Sequence, residues 1–266
     1  MTRACIIAIG DELLNGRTLD YNSYWIAKRL TSLGFDVKRI VTVPDDINSI
    51  AEVIKDAITK GFEIIVTTGG LGPTPGDVTL EAVALALNRD LVLDARALEM
   101  VKSRYQQLYE MGFISSPEIT PDREKMARIP RGATPYYNPI GVAPGILLQF
   151  NENRFIISLP GVPSEMMYLL EQIIPTISRI AKGYVIRTRE ETIKARDESR
   201  LASIFRDIMN SIPGVFIKSY PVGFGRELFM RVIITAKGEK EEEAENKLSR
   251  AIQMLRDLVQ KEGDNL

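Results

Sequence analysis

Thr67-Thr68-Gly69-Gly70-Leu71-Gly72-Pro73-Thr74-Pro75-Gly76-Asp77-Val78-Thr79 joins an apolar run to an apolar-periodic segment, and its reading decides the fold. Phe62 to Val66, just before it, is a short β-branched run with the pattern of a buried strand. Leu80, Val83, Ala84 and Leu87, just after it, mark one face of a helix. Gly69, Gly70 and Gly72 can adopt positive φ and leave no side chain between backbone amides and a ligand. Such amides, with the positive end of the following helix, attract phosphate. A plain turn is the alternative for any Gly/Pro-rich connection. The loop has neither the Lys-Ser/Thr of a P-loop nor the glycine spacing of the dinucleotide fingerprint. Asp77 and Thr79 each suit the cap of the following helix. Asp77 also suits Mg²⁺, which takes one or two carboxylates plus substrate oxygens.

Working outward, Ala4 to Ile9 is an apolar run ending in Gly10-Asp11-Glu12, and Asn22 opens a helix carrying Ile26, Leu30 and Leu33 before Gly34. Phe35 to Val43 gives a second strand, Pro44-Asp45-Asp46 breaks it, and Ile50, Val53, Ile54, Ala57 and Ile58 recur at helical spacing. This alternation predicts an α/β fold with right-handed crossovers: a three-layer, mostly parallel sheet with helices on both faces. Ligands of such sheets bind beyond the carboxyl ends of the strands. Asp11, Glu12, Asp45, Asp46 and Asp77 are therefore predicted along one edge with the glycine loop. Each alone reads as a cap or a solvated loop residue.

Leu91 to Tyr109 reads as a short extended entry and a helix through Leu98, Val101, Tyr105 and Leu108, and Ser116-Pro117 with Thr120-Pro121 signals an irregular connection. Asn138 to Gly145 is a second turn-rich loop. Ile146 to Phe150 and Arg154 to Leu159, around Asn151-Glu152-Asn153, predict a hairpin added to the sheet. Pro160 to Glu165 leads into a helix through Met166, Met167, Leu169 and Leu170, where capping suffices to explain Ser164 and Glu165. Past Pro175 the pattern becomes a small α+β unit of strands Val185 to Ile193, Val215 to Tyr220 and Leu228 to Ala236 with helices Ser199 to Met209 and Glu239 to Gln260. The last helix carries Ala244, Leu248, Ile252, Leu255 and Val259 on one face and a solvated charged face opposite. The Gly223-Phe224-Gly225-Arg226 turn reads as a hairpin turn whose Arg could reach a phosphate.

The 266 residues leave room for two domains, and a net charge of -1 provides no broad basic field, so no nucleic-acid partner is expected. The single cysteine, Cys5, reads as a small buried hydrophobe in a reducing cytosol. No apolar stretch reaches membrane-spanning length, and the chain enters a strand too early for a signal peptide, so a cytoplasmic protein without a membrane partner is expected. The absence of histidine removes the usual general base, every triad that needs one, and Cys/His zinc sites. Catalysis would fall to carboxylates, metal and backbone amides.

Together, Gly10-Asp11-Glu12-Leu13-Leu14-Asn15-Gly16 with Asp20 and Asn22, the Gly69 to Thr79 loop, Asn138 to Gly145, and Leu159-Pro160-Gly161-Val162-Pro163-Ser164-Glu165-Met166 resemble the CinA proteins. The first domain of that family belongs to the MogA and MoaB molybdopterin-binding superfamily. The resemblance implies a molybdopterin-binding-like domain over residues 1–172 and a KH-type α+β domain over 173–266, here without a clear Gly-x-x-Gly nucleic-acid loop. It implies metal-dependent hydrolysis of a nucleoside diphosphate sugar, ADP-ribose to AMP and ribose 5-phosphate. The alternative it leaves open is a molybdopterin or nucleotide binding and transfer module with Asp45 and Asp77 as its key pair. Nicotinamide mononucleotide deamidation, which full-length CinA proteins place in a further carboxy-terminal domain, is not expected.

Carried over residue by residue, the resemblance places Gly69, Gly70, Leu71, Gly72 and Thr74 around the substrate, with Asn22, Asn138, Gly141, Pro160, Gly161 and Ser164. Asp77 aligns with the Asp that MogA-like proteins keep, and the carboxylates expected beside the phosphate loop make Asp77, Asp45 and Glu12 the catalytic candidates and Asp77 and Asp11 the candidates for a divalent ion (Mg, Mn or Co). The resemblance implies a homodimer or trimer that binds a nucleotide or pterin phosphate. CinA proteins usually carry two adjacent acids after the Gly-Pro-Thr segment, whereas Pro75-Gly76-Asp77 has Gly76 in the first position. Met126 stands where relatives often carry Gln.

Overall fold

Strand β1 (Arg3–Ile9) sends Ala4 and Ile6 to one side of its sheet and Cys5, Ile7 and Ile9 to the other, the two-residue period of a strand buried on both faces. The computed structural model describes residues 2–181, 185–194, 198–222 and 229–262. After β1 come α1 (Asp11–Leu14), α2 (Tyr21–Ser32), β2 (Asp36–Val43), α3 (Ile47–Thr59), β3 (Ile64–Thr68) and α4 (Thr79–Ala86). Then follow β4 (Leu91–Leu93), α5 (Ala95–Glu110), α6 (Pro121–Lys125), β5 (Arg128–Pro130), β6 (Thr134–Tyr136), β7 (Gly145–Asn151), β8 (Arg154–Leu159) and α7 (Pro163–Ile177).

Six strands form one sheet in the order β2-β1-β3-β8-β7-β6. β2, β1, β3 and β8 run parallel, and β7 and β6 continue the sheet antiparallel, so the expected hairpin is present and its second strand lies beside β3. Ile50, Ile54, Val83 and Val101 pack on one face against Cys5, Ile7 and Ile65. Ile26, Leu30, Met166 and Leu170 pack on the other against Ile6, Val66 and Ile157. The three layers are thus closed by two separate cores, each fully buried Leu or Ile contributing about 1.5–3 kcal/mol. Burial also pushes the Cys5 thiol up to about 11, as its reading as a small hydrophobe requires.

Two expectations need correction. The connection after α5 is not irregular throughout: the Thr120 side chain accepts from the Arg123 amide at 3.3 Å and Pro121 takes the first helical position, so α6 forms. β5 then pairs with β4 in a separate two-stranded sheet. Nor does the first unit end at residue 172, for the division falls after Lys182 and Pro175 lies inside α7. Buried Ile173, Ile174 and Ile177 hold that last turn on the core despite the missing Pro amide.

The second unit, Gly183–Leu266, comprises β9 (Val185–Lys194), α8 (Glu198–Ser211), β10 (Val215–Val222), β11 (Phe229–Gly238) and α9 (Glu241–Glu262). Its sheet is antiparallel in the order β10-β11-β9. Leu201, Ile208, Leu248 and Leu255 of the two helices pack against Ile217, Val232 and Ile234. The Gly223 to Arg226 turn lies outside the described residues. Among the described residues no helix is long and apolar enough to cross a membrane.

Candidate active site

Because β1, β2, β3 and β8 run parallel, their carboxyl ends deliver Gly10, Asp45, Gly69 and Pro160 to one edge of the sheet. A cleft of about 500 Å³ opens there. Inside the glycine loop, the Gly69 N–H donates to the Leu159 carbonyl at 3.0 Å and the Thr79 N–H to the Gly70 carbonyl at 3.1 Å. The buried Thr79 hydroxyl donates to the Gly69 carbonyl at 2.8 Å. The N–H groups of Gly70, Leu71 and Gly72 make no hydrogen bond to another described residue, although all three line the cleft. A helix cap by Asp77 or Thr79 is not what forms, since no side chain caps α4. Asp77 turns back instead, and its Oδ2 accepts from the Thr74 N–H at 2.8 Å and the Thr74 hydroxyl at 2.5 Å.

Among the described residues, Glu12, Asp45, Asp77 and Glu165 line the cleft and no Lys or Arg does. Burial raises the pKa of Asp45 above its ordinary 3.8, the negative charges of Asp11, Glu12 and Asp77 raise it further, and the Asp11 amide that donates to Asp45 Oδ2 at 3.0 Å opposes them. A carboxyl with a raised folded-state pKa binds its proton more tightly in the folded chain than in the unfolded one. It therefore costs stability as pH climbs from its unfolded value through its folded one. Asp45→Asn, which keeps an oxygen for the Asp11 amide, is expected to raise the melting temperature at pH 7. The gain should vanish below about pH 3.8, where wild-type Asp45 is protonated in both states; calorimetry across pH checks it.

Other predicted ligand contacts stand behind the wall. Asn22 donates to Thr68 Oγ1 at 2.9 Å and to the Gly161 carbonyl at 2.8 Å, tying two cleft loops together, while its buried Oδ1 accepts from no described residue. Asn138 is 1% exposed; its Oδ1 accepts from the amides of Ile140 and Gly141, and its Nδ2 donates to the Ala143 carbonyl at 2.9 Å and to Glu165 Oε2 at 2.6 Å. Buried Arg104 donates to the Gly141 and Ile140 carbonyls. A Cβ on Gly141 would fall 2.0 Å from Glu165 Oε2, so glycine there makes room for the carboxylate. Asn138 and Gly141 thus seat Glu165 and do not themselves line the cleft. Ser164 is exposed outside the lining, and Asp11 contributes its amide to Asp45.

Glu165 is the polar lining residue that capping logic missed. The strand-edge rule, applied to Leu159 as to the first three strands, points to it. Burial raises its pKa, against the Asn138 hydrogen bond and the Arg104 charge. Tyr105, Met126, Val142 and Val162 add an apolar wall.

Among the described residues no three acidic, cysteine or histidine side chains gather as a protein-only cation cage. A Mg²⁺-type ion needs only one or two carboxylates and completes its shell with phosphate oxygens and water, so such an ion would not require a cage of that kind.

Comparison with known proteins agrees with this architecture. A family described as a probable molybdopterin binding domain matches residues 5–179. A protein of Caldivirga maquilingensis is 40% identical over 257 residues, 95% of each chain. One of Pyrococcus furiosus is 42% identical over 235 residues, 88% of this chain and 90% of its own. Among solved structures, the protein CinA with unknown function from Thermoplasma acidophilum superposes with a TM-score of 0.59 at 37% identity, covering 66% of this chain and 98% of that one. The chain belongs to the probable molybdopterin binding domain family and is a CinA-like protein.

Proposed function

We propose that the cleft binds the diphosphate of a nucleoside diphosphate sugar and hydrolyses it, with ADP-ribose, yielding AMP and ribose 5-phosphate, as the substrate to test first. The observation that carries this reading is the run of three unpaired amides, Gly70, Leu71 and Gly72, set among four carboxylates with no basic side chain in the lining. N–H groups that face a cleft without a protein acceptor are free to donate to a ligand, and phosphate oxygens suit them. Carboxylates alone would repel the same phosphates. A divalent cation held by Asp77 and Asp45 would neutralise that repulsion and the charge gathering on the leaving phosphate.

The remaining chemistry belongs to the chain. The amides of Gly70 to Gly72 hold the diphosphate, and Asp45 or Glu12 orients a water molecule. The water oxygen forms a new P–O bond, the bridging P–O bond breaks toward the departing phosphate, and the water proton passes to the carboxylate. The family match also favours a second reading, a module that binds a pterin or nucleotide phosphate without cleaving it.

Purified protein incubated with ADP-ribose and with Mg²⁺, Mn²⁺ or Co²⁺ in turn is expected to release AMP, and to release none with chelator. Intact ADP-ribose under all three ions would remove the hydrolytic reading. Retained metal-dependent binding, read by calorimetry, would then favour the binding module.

A further inference from the structure

We propose that the open face of the second unit's sheet is a stacking platform for single-stranded nucleic acid. In β10, Val215 and Ile217 point toward the helices and are buried, while Phe216, Lys218 and Tyr220 alternate onto the other face. In β11, Met230, Val232 and Ile234 are buried, and Phe229, Arg231 and Lys237 fall on the opposite set of positions. The register sets Tyr220 opposite Arg231 and Val222 opposite Phe229, so all six lie on the side that α8 and α9 leave open. Phe216 is 55% exposed, Tyr220 43% and Phe229 37%. Arg231 stands 5.4 Å from the Tyr220 ring centroid and Lys237 5.1 Å from that of Phe216.

Aromatic rings alternating with cations on an exposed sheet match what unpaired nucleotides need. Tyr220 and Phe229 are diagonal neighbours across the strand pair, roughly 7–8 Å apart, a spacing that lets two successive bases stack. Phe216, four residues back along the strand, lies about 13 Å from Tyr220 and offers a third ring. Lys218 lies between Phe216 and Tyr220, Arg231 stands opposite Tyr220 and Lys237 flanks Phe216 at the end of the row, where phosphates would pass, and Glu190 at 3.8 Å from Arg231 leaves the face net positive. Glu241, Glu242, Glu243 and Glu245 gather on α9 instead. The net charge of -1 that argued against a nucleic-acid partner is the total over all 266 residues and carries no information about one face of one unit. Strand addition at the β10 edge is disfavoured by Pro221, which removes a backbone donor there. The face, rather than that edge, is the contact surface.

The test is fluorescence anisotropy of the full chain with labelled oligothymidylate and oligouridylate of roughly 12 nucleotides, within the usual span of one such binding surface. Binding is expected to tighten at low salt and to exceed that of a duplex of equal length. Tyr220→Ala and Phe229→Ala should each weaken it at least about five-fold, the lower end of what loss of a stacking ring costs. Tyr220→Trp should retain it, because stacking survives. All three positions are exposed, and an unchanged melting temperature confirms folding. Absence of binding, or equal binding by a Phe216→Ala/Tyr220→Ala double variant, overturns the proposal. So does a double variant that loses self-association in sedimentation while binding oligonucleotide as before, for the face would then join copies of this chain.

Discussion

Gly69→Ala is expected to lower the melting temperature by roughly 5–15 °C, taking a loss of about 2–5 kcal/mol at 2–4 °C per kcal/mol for a chain of this size. A Cβ at residue 69 would lie 2.2 Å from the Ile9 carbonyl oxygen, and that oxygen is backbone at the end of β1. Overpacking against an atom that cannot rotate away costs about 1–3 kcal/mol. The φ of +105° adds strain of similar size for any L side chain. Gly16→Ala is the matched control, with φ +73° but nothing within 4 Å of its Cβ, and should lose only about 1 kcal/mol. Equal melting temperatures for the two variants would mean that the β1 and β3 ends are not locked together as described.

Asp77→Asn should leave the fold in place and remove metal-dependent turnover. An amide oxygen can replace Oδ2 as acceptor for the Thr74 N–H and hydroxyl, so the melting temperature should move by no more than about 2 °C. What is lost is a charge facing the amide cradle. Removing a partner that only supports a metal ligand costs roughly 10–100-fold in affinity or activity, and loss of the ligand itself should exceed that. The companion change Gly76→Asp restores an acid before Asp77, and its Cβ would meet only Thr74 Oγ1, at 3.9 Å. Higher AMP release from that variant, alongside loss in Asp77→Asn, would place the metal on this segment. Full activity in Asp77→Asn would detach the carboxylate from the chemistry.

The alternation of strand and helix was legible because hydrophobic period is a local property. The parallel order of the first three strands and the shared edge of Glu12, Asp45 and the glycine loop followed from it. Contacts made across long separations were not legible. Asp77 suited either a cap or a metal ligand, because Asp just before a helix serves both, whereas its bonds to the Thr74 amide and hydroxyl are made within the folded loop. Asn138 looked like a ligand contact because a buried amide and a binding amide read alike in sequence, and only its four partners reveal a strut. Glu165 was obscured for the converse reason: an acid in the first turn of α7 already has an explanation. Pro175 misplaced the end of the first unit because helix propensity weighed more in the reading than three buried isoleucines.

The placement of β8 beside β3 also sets when the cleft can come into being. The Thr67 to Ile157 bond closes a span of 90 residues, and closing a loop of that length costs about 4 kcal/mol of chain entropy before any contact repays it. During synthesis at roughly 5–20 residues per second, the glycine loop would wait about 5–20 s for the strand that supplies its opposite wall. Until that strand emerges the β3 edge has no partner on this side, so the anion cradle acquires its opposite wall only once this long-range pairing forms.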